Sequence, residues 1–372
     1  MIVDARVEAW ARLQLAGVAS RALFDLLRAF GTACDVLRAT PAARRHHVPP
    51  EAAALLDAAP EPARIEATLA WLGEPGHELM AWDDPAYPPA LLQITDPPPV
   101  FYYQGRRELF AAPAFAIVGS RNATAQGCED AEAFAATLSA AGFTIVSGLA
   151  QGIDAAAHRG GLREAGSSIA VIGTGPDRIY PARNRDLAHA LAERGAVISE
   201  FAPGTPPLKQ NFPRRNRLVS GLSRGVLVVE ATLSSGSLIT ARLAVEQNRD
   251  VFALPGSIHS PFSKGAHRLI REGAKLVETA KDILDELDVV ALPLQDATAS
   301  KPRQIVDPDA RAVAGALGHD PADVDTLVAR TGLVPSKVIA ALTALELDRE
   351  VATVPGGRWQ RVSRPEQCSS EP

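Results

Sequence analysis

The sequence predicts an α/β protein built on a Rossmann-like, doubly wound parallel sheet. Residues 115–121 (FAIVGSR) and 143–154 (FTIVSGLAQGID) are each a short run rich in Ile, Val and Phe that ends in a Gly/Ser turn and leads into helical spacing. Further apolar runs alternate with helical segments, at residues 167–173, 196–200, 225–230, 250–256 and 274–277. Strands of nearly continuous apolar character are typical of a parallel sheet covered on both faces.

Residues 1–80 are predicted to form an N-terminal helical domain, followed by the sheet domain over residues 81–290. Apolar side chains recur at steps of three and four residues as far as about residue 72, as on helices with one buried face. From residue 73 to about 113 the chain is punctuated by prolines, which remove backbone donors and fix φ. We therefore expect an irregular connector there, with an edge strand at residues 101–103.

The C-terminal part predicts a winged-helix domain at residues 309–363, after a linker at 291–308 and before a disordered tail at 364–372. Three helical stretches are followed by two short β runs around a Pro-Gly-Gly turn. The would-be recognition helix offers one base, Lys337, together with several acids, whereas proteins that read DNA grooves normally offer more cations. A role in protein contacts or regulation is at least as consistent with this helix.

Composition excludes several functional classes. The chain has 372 residues, 47% of them hydrophobic, and a net charge of −5, which indicates a soluble globular protein of two or three domains. No apolar run approaches the roughly 20 residues of a membrane span and no signal peptide is evident, so we expect a cytoplasmic protein without a membrane partner. Three scattered cysteines and eight histidines without ligand spacing predict no disulfide framework, no metal and no cofactor.

The sharpest local signal is a basic segment at residues 209–224. Five cations and no acid lie between Glu200 and Glu230, in a chain whose overall charge is negative. Cations around one aromatic side chain, Phe212, suit a nucleic-acid single strand, because positive charge attracts phosphates and a π face stacks a base. The alternative, a solvated basic helix start, does not explain five cations. Gly/Ser turns at 119–121 and 148–152 also offer backbone amides that favour phosphate.

Asp154 and His158 are the one candidate acid/base pair in this part of the chain. They are four residues apart and therefore on one face of a predicted helix. A catalytic pair would use them for proton transfer. A helix cap together with a structural histidine is the commoner outcome, so we predict no catalytic residues.

Taken together, these motifs resemble the DNA-processing protein family, DprA/Smf. The motifs that carry the resemblance are GSR at 119–121, SGLAQGID at 147–154, IYPARN at 179–184, FPRRNRLVSGLS at 212–223, VVEA at 228–231, SGSLITAR at 235–242 and LPG at 254–256. Members often carry a helical SAM-like domain before the sheet and a winged-helix domain after it. The resemblance implies a homodimeric protein without catalytic turnover that binds single-stranded DNA. It also implies that the protein protects incoming DNA and loads the RecA recombinase on it during natural transformation.

The resemblance also implies roles for individual side chains. Arg121 and Lys209 are implied to hold phosphates while Phe212 stacks a base. Three further residues of the motif are implied either to support this pocket or to touch the strand: Arg215, Asn216 and Arg217.

Two positions depart from the family pattern. His267 stands where asparagine is usual, and LAGVAS at 15–20 is a degenerate form of the family's glycine-rich hairpin.

The alternative function is a Rossmann-like nucleotide or phosphoribosyl hydrolase. Such enzymes place a glutamate after a PG-ending strand, and residues 254–265 (LPGSIHSPFSKG) have none.

Overall fold

A computed structural model describes residues 4–58, 60–288, 307–317, 321–348, 350–354 and 357–362. The predicted linker at 291–308 lies outside the described residues except for its last two positions, and the predicted tail at 364–372 lies wholly outside them.

Helices at the N-terminus form a layer on one end of the sheet. Their bounds are α1 Ala5–Leu15, α2 Ser20–Phe30, α3 Ala33–Arg38, α4 Pro41–Arg45, α5 Pro50–Asp57 and α6 Pro62–Leu72. Side-chain oxygens of Asp4, Thr32 and Thr40 accept hydrogen bonds from first-turn amides, which fixes where α1, α3 and α4 begin. The apolar faces of these helices, with Trp10 and Leu13 fully buried, pack together and onto the first two strands of the sheet.

One sheet organises the described residues, and its strands lie in the order β1-β2-β6-β5-β4-β3-β7-β8-β9. Their bounds are β1 His77–Ala81, β2 Val100–Gly105, β3 Ala114–Val118, β4 Thr144–Ser147, β5 Ser168–Val171, β6 Ala196–Ser199, β7 Gly225–Val228, β8 Asp250–Ala253 and β9 Lys275–Leu276. All neighbours from β6 to β9 in this order are parallel, whereas β1 and β2 are antiparallel. The predicted parallel α/β sheet is confirmed.

The expected edge strand at residues 101–103 is not at an edge, and this prediction was wrong. It is part of β2, which pairs on one side with β6 and on the other with β1, a strand that the sequence did not reveal. Both faces of β2 are covered, because Tyr102 packs against the N-terminal helices while Phe101 and Tyr103 face the core of the sheet domain. β1 includes residues 80 and 81, so the boundary predicted between the N-terminal helical domain and the sheet domain falls inside this strand.

Helices cover both faces of the parallel strands. Their bounds are α7 Ala125–Ala140, α8 Ile153–Gly161, α9 Arg185–Arg194, α10 Asn211–Leu222, α11 Ser237–Glu246, α12 Lys264–Arg271 and α13 Ala280–Glu286. Phe115 and Ile117 of β3 pack with α7, α8 and α13, whereas Ala116 and Val118 pack with α10 and α11. The chain winds from β3 towards β6 and then returns to β7 on the other side of β3. This reversal opens a crevice at the carboxyl ends of β3 and β7, where ligands bind in doubly wound sheets.

The C-terminal part has the winged-helix order of elements. Helices α14 Pro308–Leu317, α15 Val324–Thr331 and α16 Pro335–Leu347 precede the hairpin of β10 Val351–Val354 and β11 Arg358–Arg361. Val313, Leu327 and Leu342 lie in its core. Lys337 forms an ion pair with Asp309 (Nζ–Oδ2 3.0 Å), so the one base on the recognition helix is partly neutralised.

No single helix in the described ranges is long and apolar enough to cross a membrane. The bent pair of α15 and α16, which meet at 109°, passes that requirement together by length and composition only.

Candidate nucleic-acid interface

Loops from several strands converge at the crevice between β3 and β7. The loop after β4 meets the loop after β3, where the backbone N–H of Ile153 donates to the carbonyl of Ser120 at 3.2 Å. The loop after β3 is in turn tied to β7, because Thr124 donates to the Glu230 carboxylate from its backbone N–H at 2.9 Å and its hydroxyl at 2.6 Å. These hydrogen bonds fix the backbone of the loops at the carboxyl ends of β3, β4 and β7, and so fix the positions of their side chains.

An arginine and two aromatic rings lie together on this edge. The guanidinium carbon of Arg121 is over the ring of Phe212, 5.8 Å from its centroid, and the Arg121 side chain is exposed. The ring of Tyr180 lies 5.6 Å from that of Phe212 at an interplanar angle of 43°. The structure therefore brings Arg121 and Phe212 into contact, although they are far apart in the sequence.

Phe212 is held in place by the loop after β5. A Cβ added to Gly173 would lie 2.9 Å from Cδ1 of Phe212, so only glycine lets the ring approach this backbone so closely. The side-chain amide of Asn211 donates to the Gly173 carbonyl at 3.1 Å. Gly173 and Asn211 thus position the aromatic ring at the start of α10.

Lys209 and Asn216 lie on either side of Phe212 in the chain. Lys209 is exposed in the turn before α10, and it forms no hydrogen bond or ion pair with another described residue. Asn216 is half-buried, one turn further along α10. Among the described residues, no hydrogen bond or ion pair joins either of them to Arg121, so Lys209 is an unpaired cation three residues before Phe212.

Arg215 and Arg217 lie beneath the surface, with only 4% and 9% of each residue exposed. Arg217 pairs with the buried carboxylate of Glu200 and with Asp96 (Nε–Oδ2 3.5 Å). Arg215 donates to the Val171 carbonyl at the end of β5. The resemblance implies that these arginines either support the pocket or touch the strand, and their burial favours support of the pocket.

The basic segment is therefore not one continuous surface. Arg214 also pairs with Glu200, at 3.2 Å, and its guanidinium lies over the ring of Phe201. Among the described residues, Lys209 and Arg224 are the members of the segment whose side chains are exposed and unpaired. Glu200, the acid that pairs with Arg214 and Arg217, stands just outside the acid-free interval of the sequence.

Arg215 and Asp154 form the buried electrostatic centre of the site. The Asp154 carboxylate accepts hydrogen bonds from the backbone N–H groups of Gly148 and Ala150, at 3.1 and 3.3 Å. Burial raises the pKa of Asp154, while the positive charge of Arg215 and the two amides act against that rise. Burial likewise lowers the pKa of Arg215 to about 10, with Asp154 opposing. Asp154 thus fixes the loop after β4 through its two amide hydrogen bonds, and the charge of Arg215 stabilises the ionised carboxylate.

His158 is a structural residue rather than the partner of a catalytic acid. Its Nε2 accepts a hydrogen bond from the backbone N–H of Leu149 at 3.2 Å, and its Nδ1 lies 2.8 Å from the hydroxyl of Ser168. Since Nε2 is an acceptor, Nδ1 carries the proton. Burial lowers the pKa of His158 to about 3, so the ring is neutral at physiological pH. Asp154 does not cap α8 either, because the cap position is Gly152 and the carboxylate binds amides of the preceding loop.

Family models match both the sheet domain and the C-terminal part of the chain. A family model described as "DNA recombination-mediator protein A" matches residues 78–288, and one described as "DprA winged helix domain" matches residues 297–357. The chain belongs to the DprA/Smf family. Protein Smf of Escherichia coli (strain K12) is 44% identical over 301 residues, which are 79% of this chain and 80% of that protein. DNA processing protein DprA of Streptococcus pneumoniae is 48% identical over 205 residues, 55% of this chain and 72% of that protein.

Solved structures of DprA proteins have the same fold. The X-ray structure of DprA from Streptococcus pneumoniae matches with a TM-score of 0.66 at 37% identity, over 74% of this chain and 95% of that one. DprA from Helicobacter pylori, whose structure was described for its single-stranded DNA binding mode, matches with a TM-score of 0.52 at 31% identity, over 56% of this chain and 95% of that one.

The DprA/Smf motifs divide into side chains on the surface and side chains that hold the loops. Tyr180 lies on the surface beside Phe212, whereas Gly173 and Asn211 are buried and hold its ring in place. None of the three was predicted as a site residue, although Tyr180 lies in the IYPARN motif. His267, at the position where the family usually has asparagine, lies with Nε2 3.0 Å from the carbonyl of Gly256 and so contacts the LPG turn.

Burial disfavours the ionised form of Asp130, in the second turn of α7. Burial raises the pKa of Asp130 to about 6, and the negative charges of Glu230 and Glu129 push it the same way, while a hydrogen bond from Gln126 at 2.7 Å opposes them. In the unfolded chain this carboxyl ionises near pH 4. The folded state therefore loses stability as the pH rises from about 4 to about 6.

We expect Asp130→Asn to stabilise the protein by about 1–3 kcal/mol above pH 6, because the amide carries no charge to desolvate. The gain should disappear near pH 3, where the carboxyl holds its proton in both the folded and the unfolded wild type. Urea unfolding of wild type and variant at these two pH values measures it, with Asp25→Asn on the exposed face of α2 as the control. A gain of equal size at both pH values would contradict this explanation.

Proposed function

We propose that this protein binds single-stranded DNA in the pocket of Arg121, Lys209 and Phe212. The observation that carries the proposal is the contact between the exposed Arg121 guanidinium and the Phe212 ring, at the switch point of the sheet. A cation beside an aromatic ring offers one nucleotide both a phosphate contact and a stacking face. The DprA structure from Helicobacter pylori, which was described for its single-stranded DNA binding mode, supports the same assignment.

In this mechanism the exposed side chains bind the strand, and the buried side chains beneath them hold the loops in position. Arg121 and Lys209 contact phosphates, and Phe212 stacks a base. Neither interaction reads a base edge, so binding tolerates different sequences. Because the chain as a whole carries a charge of −5, attraction to DNA is local to this pocket.

We further propose that the protein acts in the cytoplasm as a homodimer and performs no chemical turnover. It protects incoming single strands and loads the RecA recombinase on them during natural transformation. A member of the DprA/Smf family with a single-strand pocket and a separate winged-helix domain suits such a transfer role. Recombinase filament formation on a protected strand, with and without this protein, tests loading, and sedimentation tests the dimer.

The strand-binding proposal is tested by fluorescence anisotropy with labelled single-stranded and duplex oligonucleotides at two salt concentrations. Arg121→Ala and Lys209→Ala should each weaken single-strand binding and reduce the slope of log K against log salt by about 0.7. Phe212→Ala should cost about 1–3 kcal/mol of binding free energy with little change in slope, because it removes stacking rather than charge.

Arg38→Ala is the matched charge control, since that side chain is 79% exposed on α3, a helix of the N-terminal layer. It should leave affinity and slope unchanged. Equal affinity of wild type, Arg121→Ala and Lys209→Ala for the single strand would overturn the proposed pocket.

A further inference from the structure

Tyr180 presents the more exposed ring of the aromatic pair. Tyr180 is 50% solvent-exposed. Phe212 is less exposed and already has the Arg121 guanidinium over its ring. The two rings are 5.6 Å apart and inclined at 43°, so they are not stacked on each other. An exposed aromatic side chain next to a pocket for one base is a candidate to stack a second base.

The segment that carries Tyr180 is fixed to the sheet domain. The side-chain amide of Asn184 donates to the carbonyls of Leu149 and Ala150, at 2.9 and 3.1 Å, which ties this segment to the loop after β4. The hydroxyl of Thr174 donates to the Arg178 carbonyl at 2.7 Å. A ring on such an anchored segment loses little conformational freedom when a base stacks on it.

Unpaired cations follow Tyr180 directly. Arg183 and Arg185 are exposed, and their side chains form no hydrogen bond or ion pair with any residue that the structure describes. Arg178, on the other side of Tyr180, differs because its guanidinium lies 3.6 Å from Asp177. The exposed acid next to these two arginines in the chain is Asp186, so the local balance still favours an anion.

From this arrangement we propose a second nucleotide subsite, in which Tyr180 stacks the base next to the one on Phe212 and Arg183 and Arg185 hold the adjoining phosphates. The strand then runs from the Arg121–Phe212 contact across the loop after β5 towards the start of α9. This subsite rests on the proposed single-strand binding and sets the direction in which a longer strand continues.

The test uses the full-length protein and a series of labelled oligothymidylates of increasing length. Tyr180→Leu should weaken binding of the longer oligomers by about 5- to 150-fold, the range for loss of one stacked base. It should leave the shortest oligomer that binds at all nearly unaffected. Tyr180→Phe should retain wild-type affinity at every length, because it keeps the ring. The double variant Arg183→Gln/Arg185→Gln should reduce the salt slope by about 1.4 for long oligomers only.

Phe24→Leu is the matched control for the aromatic substitution. Phe24 is 49% exposed on α2, its ring lies 5.6 Å from that of Trp82, and Arg28 lies over it at 5.9 Å. Its environment thus resembles that of Tyr180 but is on the N-terminal helices. Its replacement should leave binding unchanged, and an equal loss in Phe24→Leu would overturn the subsite.

The outcomes separate this subsite from the pocket on which it rests. If Lys209→Ala weakens binding while Tyr180→Leu binds every length as the wild type does, the subsite is wrong and the pocket stands. If the wild type binds no single strand, the proposed function fails first. Matching thermal midpoints of wild type and Tyr180→Leu exclude misfolding as the cause of a loss.

Discussion

Arg215→Met is expected to destabilise the protein by about 1–3 kcal/mol at pH 7, because it removes a buried charged hydrogen-bond donor and the positive charge that favours the ionised form of the buried Asp154 carboxyl. Methionine fills a similar space, but it cannot donate to the Val171 carbonyl, and the Asp154 carboxylate loses the positive charge that opposes the rise in its pKa. The two amides of Gly148 and Ala150 would then be its remaining stabilising contacts. Urea unfolding of wild type and variant measures the loss.

The pH dependence identifies the cause of this loss. With Arg215 gone, the folded-state pKa of Asp154 rises further above its unfolded value. A raised acid pKa means that stability falls as the pH rises through the unfolded pKa near 4 and up to the folded one. The deficit of Arg215→Met should therefore shrink as the pH is lowered from 7 towards 5.

Two further variants make the explanation falsifiable. Adding Asp154→Asn to Arg215→Met should recover part of the lost stability at pH 7, since position 154 then carries no charge to bury. Arg214→Met is the matched control, because the neighbouring Arg214 side chain is 57% exposed and its replacement should cost under about 1 kcal/mol. A loss in Arg215→Met that neither falling pH nor Asp154→Asn reduces would contradict the electrostatic account.

Gly152→Ala is expected to damage both stability and strand binding. Gly152 has φ +73°, where an L-residue is strained by about 1–3 kcal/mol, and its added Cβ would lie 2.3 Å from the carbonyl oxygen of Ser120. That oxygen is backbone and cannot swing aside as a flexible side chain would. The loop after β3 must shift, and Arg121 is the next residue in it.

We therefore expect a lower thermal midpoint together with weaker single-strand binding by the folded fraction. Gly142→Ala is the matched control, because Gly142 has φ +93° but nothing within 4 Å of its added Cβ. Gly142→Ala should lower the thermal midpoint through backbone strain alone and leave the affinity for the single strand unchanged. If both substitutions lower the midpoint equally and neither alters binding, the close approach of the two loops does not position Arg121.

The parallel sheet could be predicted because its signal is local. Each parallel strand from β3 to β8 is a short apolar run, and the side chains of β3 bury themselves on both faces of the sheet. β1 gave no such signal, since His77–Ala81 is short and begins with two polar residues. It is a strand because β2 offers it an unpaired edge and the N-terminal helices cover its apolar side chains.

The candidate site divides in the same way. The sequence by itself determined that a cation-rich segment around Phe212, with Gly/Ser turns at strand ends, belongs to this family and to this edge of the sheet. The tertiary structure alone decided which cations face solvent. Arg215 and Arg217 are two positions apart, yet they contact Val171 and Glu200, which come from other strands and their loops. Helical spacing places residues on faces, but what each face meets depends on segments distant in sequence. Burial and charge compensation follow from those partners.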